Sequence, residues 1–277
     1  MLTDAKKKYY RVLTIAGSDS GGGAGIQADL KTIAANGCYG MSVITALTAQ
    51  NTVGVSGIHG VPIDFVRLQM EAVLSDIGTD AVKIGMLFSP ELIATVAEQL
   101  QRFHVENIIL DPVMIAQSGD KLLQDEAIDA LKSRLIPMAE LITPNLPEAS
   151  VLLDREITTL DMVAGAAREL CRLGCTNVLI KGGHLEGEVS DDCLYLGKAD
   201  EMIFLPAVRI ETRNNHGTGC TLSSAIASGI AKGHDVAKAV RLAKEYITGA
   251  IAAGAGYSIG NGHGPVHHCY TFEHILH

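Results

Sequence analysis

Residues 11–25 read Arg11-Val-Leu-Thr-Ile-Ala-Gly-Ser-Asp-Ser-Gly-Gly-Gly-Ala-Gly25, a short apolar strand running into a glycine-rich loop. Ile26, Leu30, Ile33 and Ala34 then recur at helical spacing. Strand, glycine loop and helix together form a ligand-binding unit in many α/β folds. The dinucleotide fingerprint fails here, because Ile26 stands where its last glycine would fall, and no Gly-Lys-Ser/Thr follows to make a Walker A loop.

The same alternation continues along the chain. Met41–Leu47, the segment from Val53 to Ile58, Val82–Ile84, Asn107–Asp111, Glu140–Thr143 and Asn177–Lys181 read as strands. Between them, helices are predicted from Pro62 at a first helical position, from the Ser89-Pro90 cap through Phe103, over Leu123–Leu135, and over Leu160–Leu173 before Gly174. Repeated strand-helix units predict a mostly parallel sheet with helices on both faces, and ligands bind at the carboxyl ends of its strands. Cys193–Leu196, Met202–Leu205 and Val208–Thr212 read as short β pieces at an edge, and a last helix is expected from near Asp235 to about Ala253. No linker, charge block or repeat marks a boundary, so a single domain over 1–277 is expected.

A second glycine loop, Arg213-Asn-Asn-His-Gly-Thr-Gly-Cys-Thr221, enters the apolar helical stretch Leu222–Ile230. The first-turn N–H groups of a helix point outward with the positive end of the dipole behind them, a place that holds phosphate. Cys220 falls in that turn, where a thiol pKa is expected to be lowered and a thiolate could take a proton from an attacking hydroxyl. The plainer alternative is a glycine-containing cap with Cys220 as a small buried apolar residue.

The chain carries 47% hydrophobic and 19% charged residues, with no apolar run near the ~18 residues of a membrane span. Lys6, Lys7 and Lys8 are not followed by the apolar core of a secretory signal, so a cytoplasmic location is expected. A net charge of -9, from 22 basic against 31 acidic residues, argues against nonspecific binding to nucleic acid or anionic membrane. Any anionic substrate must be held by local donors. Six cysteines without a C-x-x-C pair do not make a disulfide framework.

Groups able to do chemistry collect where strands end: Asp111, Asn145 with Glu148, Lys181 with Gly182 and Gly183, and Cys220. Asp111 and Glu148 suit the support of a Mg-nucleotide, since Mg2+ takes carboxylates, waters and substrate phosphate oxygens. Asn145 and Glu148 equally make a helix cap and its box partner, and Lys181 is either a phosphate contact or a solvated strand end. The tail Gly260–Cys269, with His267, His268, His274 and His277, invites a zinc reading, but its spacing matches no zinc module and a tight closing loop accounts for it.

Leu13–Lys31, Thr45-Ala-Leu-Thr-Ala-Gln-Asn51, Lys83-Ile-Gly-Met-Leu87, Asp111-Pro-Val-Met114, Ile142-Thr-Pro-Asn-Leu-Pro-Glu148, Lys181-Gly-Gly-His184, His216-Gly-Thr-Gly-Cys-Thr221 and Gly264-Pro-Val-His-His268 occur in this order over nearly the whole chain. Together they resemble the hydroxymethylpyrimidine/phosphomethylpyrimidine kinases of thiamine synthesis. The resemblance implies a ribokinase-like fold, a three-layer α/β/α domain, using ATP and Mg2+ on a small-molecule substrate. It implies substrate contacts at Gln50, Asp29, Gly17, Met86 and Val113, with Gln50 recognising the aminopyrimidine through an amide that both donates and accepts. It assigns Asn145, Glu148, Lys181 and Gly183 to the triphosphate and Mg2+ side, Gly217, Thr218 and Gly219 to an anion hole, and Cys220 to the base. The flap would be Ala116–Asp120.

Two positions depart from the family pattern: Gln117 stands for the flap lysine and Asn215 for a threonine before the anion hole. The resemblance implies two successive phosphorylations, of a hydroxymethyl group and then of the resulting monophosphate, and losing the flap cation is expected to weaken the second of them or the flap's closure. Rival readings are a pyridoxal kinase on the same scaffold and a noncatalytic pyrimidine-binding regulator; a sugar kinase is weaker, since that branch usually carries aspartate where Cys220 stands. A homodimer is expected from the helix-rich surface and short edge hairpins.

Overall fold

The structure is a computed structural model and describes residues 7–114, 125–183 and 191–275. Strand β1 (Arg11–Asp19) sends Leu13 and Ile15 into one buried apolar cluster and Val12 into a second. The alternation repeats in β4 (Ala81–Ile84), where Val82 and Ile84 oppose Ala81, and in β5 (Ile108–Leu110), where Ile108 and Leu110 oppose Ile109. In β7 (Asn177–Ile180), Val178 and Ile180 oppose Leu179. Apolar residues on both sides of a two-residue period require cover on both faces of a sheet.

That cover forms two helical layers. Helices α2 (Ile63–Asp76), α3 (Pro90–Arg102), α4 (Asp125–Ala130), α5 (Leu146–Leu153) and α6 (Leu160–Cys171) supply the first cluster. Helices α1 (Gly25–Ala35), α7 (Thr218–Ala231) and α8 (Val236–Gly254) supply the second. Between them lies one continuous sheet whose order is β3 (Val55–Gly60), β2 (Tyr39–Gln50), β1, β4, β5, β6 (Leu141–Ile142), β7, β8 (Asp192–Leu196), β9 (Glu201–Leu205). The strands from β2 to β7 pair in parallel, and β3, β8 and β9 are antiparallel additions at the edges. This is the three-layer, mostly parallel arrangement expected from the strand-helix alternation. The order reverses at β1, whose neighbours are β2 on one side and β4 on the other, and a crevice opens at such a point beyond the strands' carboxyl ends.

Local expectations differ in detail. Pro62 is the cap of α2, not its first residue, and α4 continues through a π turn at Leu131–Leu135. Val208–Thr212 forms no strand; β-rich composition there serves a cleft wall instead. Among the described residues no helix is long and apolar enough to cross a membrane.

Towards the carboxyl ends, the face covered by α1 and α7 turns polar. Thr14, Lys83 and Asp111 are buried there, and so is Asp29 of α1. Lys83 Nζ lies 2.9 Å from each oxygen of Asp29. Thr14 Oγ1 donates to one of those oxygens at 2.6 Å and Ser224 Oγ of α7 to the other at 2.8 Å. Burial pushes the Lys83 pKa down, but the Asp29 charge and hydrogen bond, with Cys220 and Asp111 adding to them, together outweigh that and hold it above the usual lysine value. Removing one partner of a buried pair strands the other charge. Asp29→Ala is therefore expected to lower the unfolding free energy by about 3–5 kcal/mol in urea denaturation; a loss under about 1 kcal/mol, the size of an exposed pair, would refute that structural role.

Candidate active site

A cleft of about 620 Å³ crosses the carboxyl ends of the parallel strands. It gathers nearly every residue singled out from the sequence: Gly17, Gln50, Met86 and Val113, then Asp111, Asn145, Glu148, Lys181 and Gly183, then Gly217, Thr218, Gly219 and Cys220. Asp29 is the exception and requires correction. The resemblance put it on the substrate side, yet it has no exposed surface, does not line the cleft, and spends both oxygens on Thr14, Lys83 and Ser224. Its influence reaches the cleft wall through Lys83 and through its charge near Cys220. The expected flap, with Gln117, lies outside the described residues, as does His184.

At one end, α7 starts from Gly217 in the left-handed conformation (φ 78°), with no side chain capping its first turn and no acidic residue in it. A Cβ on Gly217 would lie 1.9 Å from the Gly23 carbonyl, so the two glycine loops touch and neither has room for a side chain there. A Cβ on Gly219 would approach Lys181 Nζ at 3.3 Å and Asp111 Oδ2 at 3.5 Å, which puts the amides of this turn next to the charged cluster.

In that cluster Lys181 Nζ sits 2.7 Å from Asp111 Oδ1 and 3.9 Å from Glu148 Oε2. Thr143 Oγ1 donates to Asp111 Oδ1 at 3.1 Å, and Ser223 Oγ to Oδ2 at 3.3 Å. Burial works against ionised Asp111, but Lys181 and Lys83 outweigh it and keep its pKa below the ordinary value. Glu148 goes the other way. Burial, with Asp111 adding to it and Lys181 opposing, pushes its pKa up to about 7. Asn145 and Glu148 also form the capping box of α5, with reciprocal bonds of 2.8 Å. Both readings of this stretch hold at once: the cap is what aims Glu148 into the cleft.

Among the described residues no three His, Cys, Asp or Glu side chains converge as a metal site, and the tail packs against the second glycine loop. His216 N–H donates to the Gly264 carbonyl at 3.0 Å there. Two carboxylates, Asp111 and Glu148, suit a Mg2+ ion that completes its shell from phosphate and water.

Cys220 departs from expectation. The helix terminus favours a thiolate, but burial dominates, and with Asp29 and Asp111 adding to it against Lys83 and a backbone hydrogen bond from Gly25, the thiol pKa is pushed up to about 11. Cys220 rests as a thiol.

At the other end, β1 bulges at Gly17, where a Cβ would meet Met86 Cε at 2.6 Å. Thr45 Oγ1 holds the Met86 carbonyl at 2.9 Å, which fixes that wall. Asp19 was not singled out from the sequence. One carboxylate oxygen accepts Gly21 N–H at 2.8 Å, and the other accepts Gly23 N–H at 3.0 Å and Ala24 N–H at 2.8 Å. His216 Nε2 approaches that second oxygen at 3.0 Å. Burial raises the Asp19 pKa, but His216 and the loop amides outweigh it and leave the carboxyl below its ordinary value. An Asp just before a glycine run is a local signal for such a turn; its partner, 197 residues away, is not.

The sequence profile of the phosphomethylpyrimidine kinases matches residues 19–267. The chain belongs to the phosphomethylpyrimidine kinase family. It is 52% identical to the hydroxymethylpyrimidine/phosphomethylpyrimidine kinase of Rhizobium meliloti over 94% of this chain and 97% of that one. It is also 52% identical to the thiamine biosynthesis bifunctional protein ThiED of Geobacter sulfurreducens, of which it spans 53%. Among solved structures, an ADP complex of Bacillus subtilis pyridoxal kinase superposes with a TM-score of 0.89 at 37% identity, over 96% of this chain and 100% of that one. The chain thereby shares the ribokinase-like fold with a pyridoxal kinase.

The raised pKa of Glu148 sets a pH dependence. Folded protein keeps a proton on Glu148 between its ordinary 4.5 and about 7, a range over which the unfolded chain has released it, so ligand-free stability falls as pH rises through that window. Glu148→Gln is expected to flatten this slope in urea unfolding measured across pH; profiles parallel to wild type would contradict it.

Proposed function

We propose that the chain transfers phosphate from ATP to the hydroxymethyl group of 4-amino-5-hydroxymethyl-2-methylpyrimidine, and then to the resulting monophosphate to give the diphosphate used in thiamine synthesis. The observation that carries this reading is that one cleft holds the uncapped first turn of α7 beside Asp111, Lys181 and Glu148, together with the Gln50 and Met86 wall. Family membership supports it, and the 52% identity to a pyrimidine kinase exceeds the 37% identity to a pyridoxal kinase.

In each transfer an acceptor oxygen attacks the γ-phosphorus, the bond from that phosphorus to the β,γ-bridging oxygen breaks, and ADP leaves. Little covalent chemistry is asked of the protein; positioning and charge stabilisation carry the step. Gly217, Thr218 and Gly219 present amides where charge develops on the phosphoryl oxygens, and Lys181 stands beside them with Asn145 and Gly183 on the nucleotide side. Bound Mg2+ would neutralise phosphate charge, and Asp111 and Glu148 are the residues that would hold it. Gln50, Gly17, Met86 and Val113 bound the acceptor ring, while Val208, Ile210 and Ile251 give the cleft an apolar end suited to a nucleoside.

In the first transfer Cys220 takes the hydroxyl proton as a thiolate, having first released its own proton to solvent; the second acceptor, a phosphate, is already ionised at neutral pH. A thiol resting near 11 makes the first step rise with pH through the working range. The same reading takes 1–277 as one cytoplasmic kinase domain that pairs with a second copy, with exposed Leu47, Ile58, Phe65 and Leu68 of β2, β3 and α2 as its contact face.

Incubation with Mg-ATP and either hydroxymethylpyrimidine or pyridoxal, with products resolved by mass, tests the reading. Pyrimidine diphosphate is the expected product. Faster turnover of pyridoxal would transfer the chain to the rival activity, and no product from either would leave a binding protein. Cys220→Ala is expected to slow the first transfer by about 10²–10⁴-fold and the second far less; equal losses would remove Cys220 as the base.

A further inference from the structure

His216 and Gln50 come from opposite ends of the chain and meet at the acceptor end of the cleft. One terminal atom of the Gln50 amide lies 3.1 Å from Thr48 Oγ1, and the other lies 3.3 Å from His216 Nε2. Which is oxygen and which is nitrogen follows from counting protons. Thr48 has a single hydroxyl proton, and the Ser18 carbonyl, 2.9 Å away, can only accept it. The Thr48 oxygen is then an acceptor, so the amide atom facing it is nitrogen. His216 Nε2 lies 3.0 Å from a carboxylate oxygen of Asp19 and must carry a proton there. The amide atom facing Nε2 is then oxygen. The reverse orientation would set two N–H groups against each other, or an unprotonated ring nitrogen against a carboxylate.

We propose that His216 is a positioning residue that fixes which way round Gln50 presents its amide to the acceptor ring, by donating its Nε2 proton jointly to Asp19 and to Gln50 Oε1. With those contacts made, Gln50 keeps one N–H and one lone pair of Oε1 for a ligand, side by side. That pair complements a ring nitrogen next to an exocyclic amino group. The arrangement also joins the two glycine loops, because Asp19 gathers the amides of Gly21, Gly23 and Ala24 while His216 immediately precedes the start of α7. His216 is held on a second side, where a Cβ on Gly23 would meet its Cδ2 at 2.4 Å, so the ring has little freedom to turn away.

This inference rests on the pyrimidine reading for its ligand but not for its geometry, and the two are tested apart. In the ligand-free wild type, long-range ¹H–¹⁵N NMR of the imidazoles, with His216 assigned by its loss in His216→Gln, is expected to show a protonated Nε2 at neutral pH. An unprotonated Nε2 would overturn the proposal whatever the enzyme phosphorylates. Calorimetry with the hydroxymethylpyrimidine alone, without nucleotide, is the second arm. His216→Ala is expected to weaken binding about tenfold or more, since the amide is freed to turn, with the KM for ATP changed less than twofold. His216→Gln, which returns an N–H donor to the Nε2 position, is expected to recover most of the loss. Equal weakening in the Ala and Gln variants, or a parallel rise in the KM for ATP, would make the role merely structural. If wild type binds no pyrimidine, the functional reading fails while the NMR result still decides the orientation.

Discussion

The buried pair between Lys83 and Asp29 is the constraint on which the site depends. It joins four elements at one point: Asp29 on α1, Lys83 on β4, Thr14 on β1 and Ser224 on α7. Two charges without solvent gain little net stability over well-packed apolar residues, because desolvation consumes most of their attraction. What the pair supplies is registry. An apolar residue at position 224 could slide against its neighbours, whereas a hydroxyl 2.8 Å from a carboxylate that already binds an ammonium has one acceptable place. Ser224 lies one helical turn beyond Cys220, so the start of α7 inherits that place relative to the strand ends.

Much of this architecture was legible from local pattern. The two-residue alternation in β1, β4, β5 and β7 and the helical runs between them carry the sheet, because both faces must be covered. The capping box at Asn145 and Glu148 was legible for the same reason, as was the glycine loop before α7. Asp29 was misread although the sequence held the signal. It stands three residues after Ile26 and four before Ile33, on the apolar side of α1, so the period that identified the helix also put this carboxylate inward. Resemblance transferred a position; the helical period would have transferred its direction.

Cys220 and His216 mark what local pattern cannot reach. The helix-terminus argument for a lowered thiol pKa has the right sign for that one effect. Its main competitor is burial, joined by charges from α1 and from the end of β5, since Asp29 and Asp111 converge on the same buried spot only after folding. Asp19 and His216 are likewise unremarkable side chains until the sheet order sets the first glycine loop against the second. The wall at Val208–Thr212 was read as strand because extended, β-rich segments look alike whether they pair with a neighbour or line a cleft.

Charge placement within the cleft decides which donors attract an anion to a protein carrying a net charge of -9. Lys83 is paired with Asp29 and Lys181 with Asp111, so both ammonium groups are largely neutralised by carboxylates within 3 Å. At a separation of 4 Å and an effective dielectric near 20, a lone ammonium would attract a phosphate charge by ~4 kcal/mol, but a carboxylate at similar distance cancels most of that. The first turn of α7 has no such compensation, having neither an acidic residue nor a side-chain cap. Its dipole and amides contribute only ~0.3–2 kcal/mol, yet the partner to be displaced at Thr218 N–H is a neutral carbonyl, that of Asn215 at a long 3.4 Å, and not a charge. The fixed amides are therefore the first attraction an incoming anion meets. Lys181 is held by Asp111 at 2.7 Å with Glu148 3.9 Å away, so its charge would become available to a phosphate only where those carboxylates faced another cation as well.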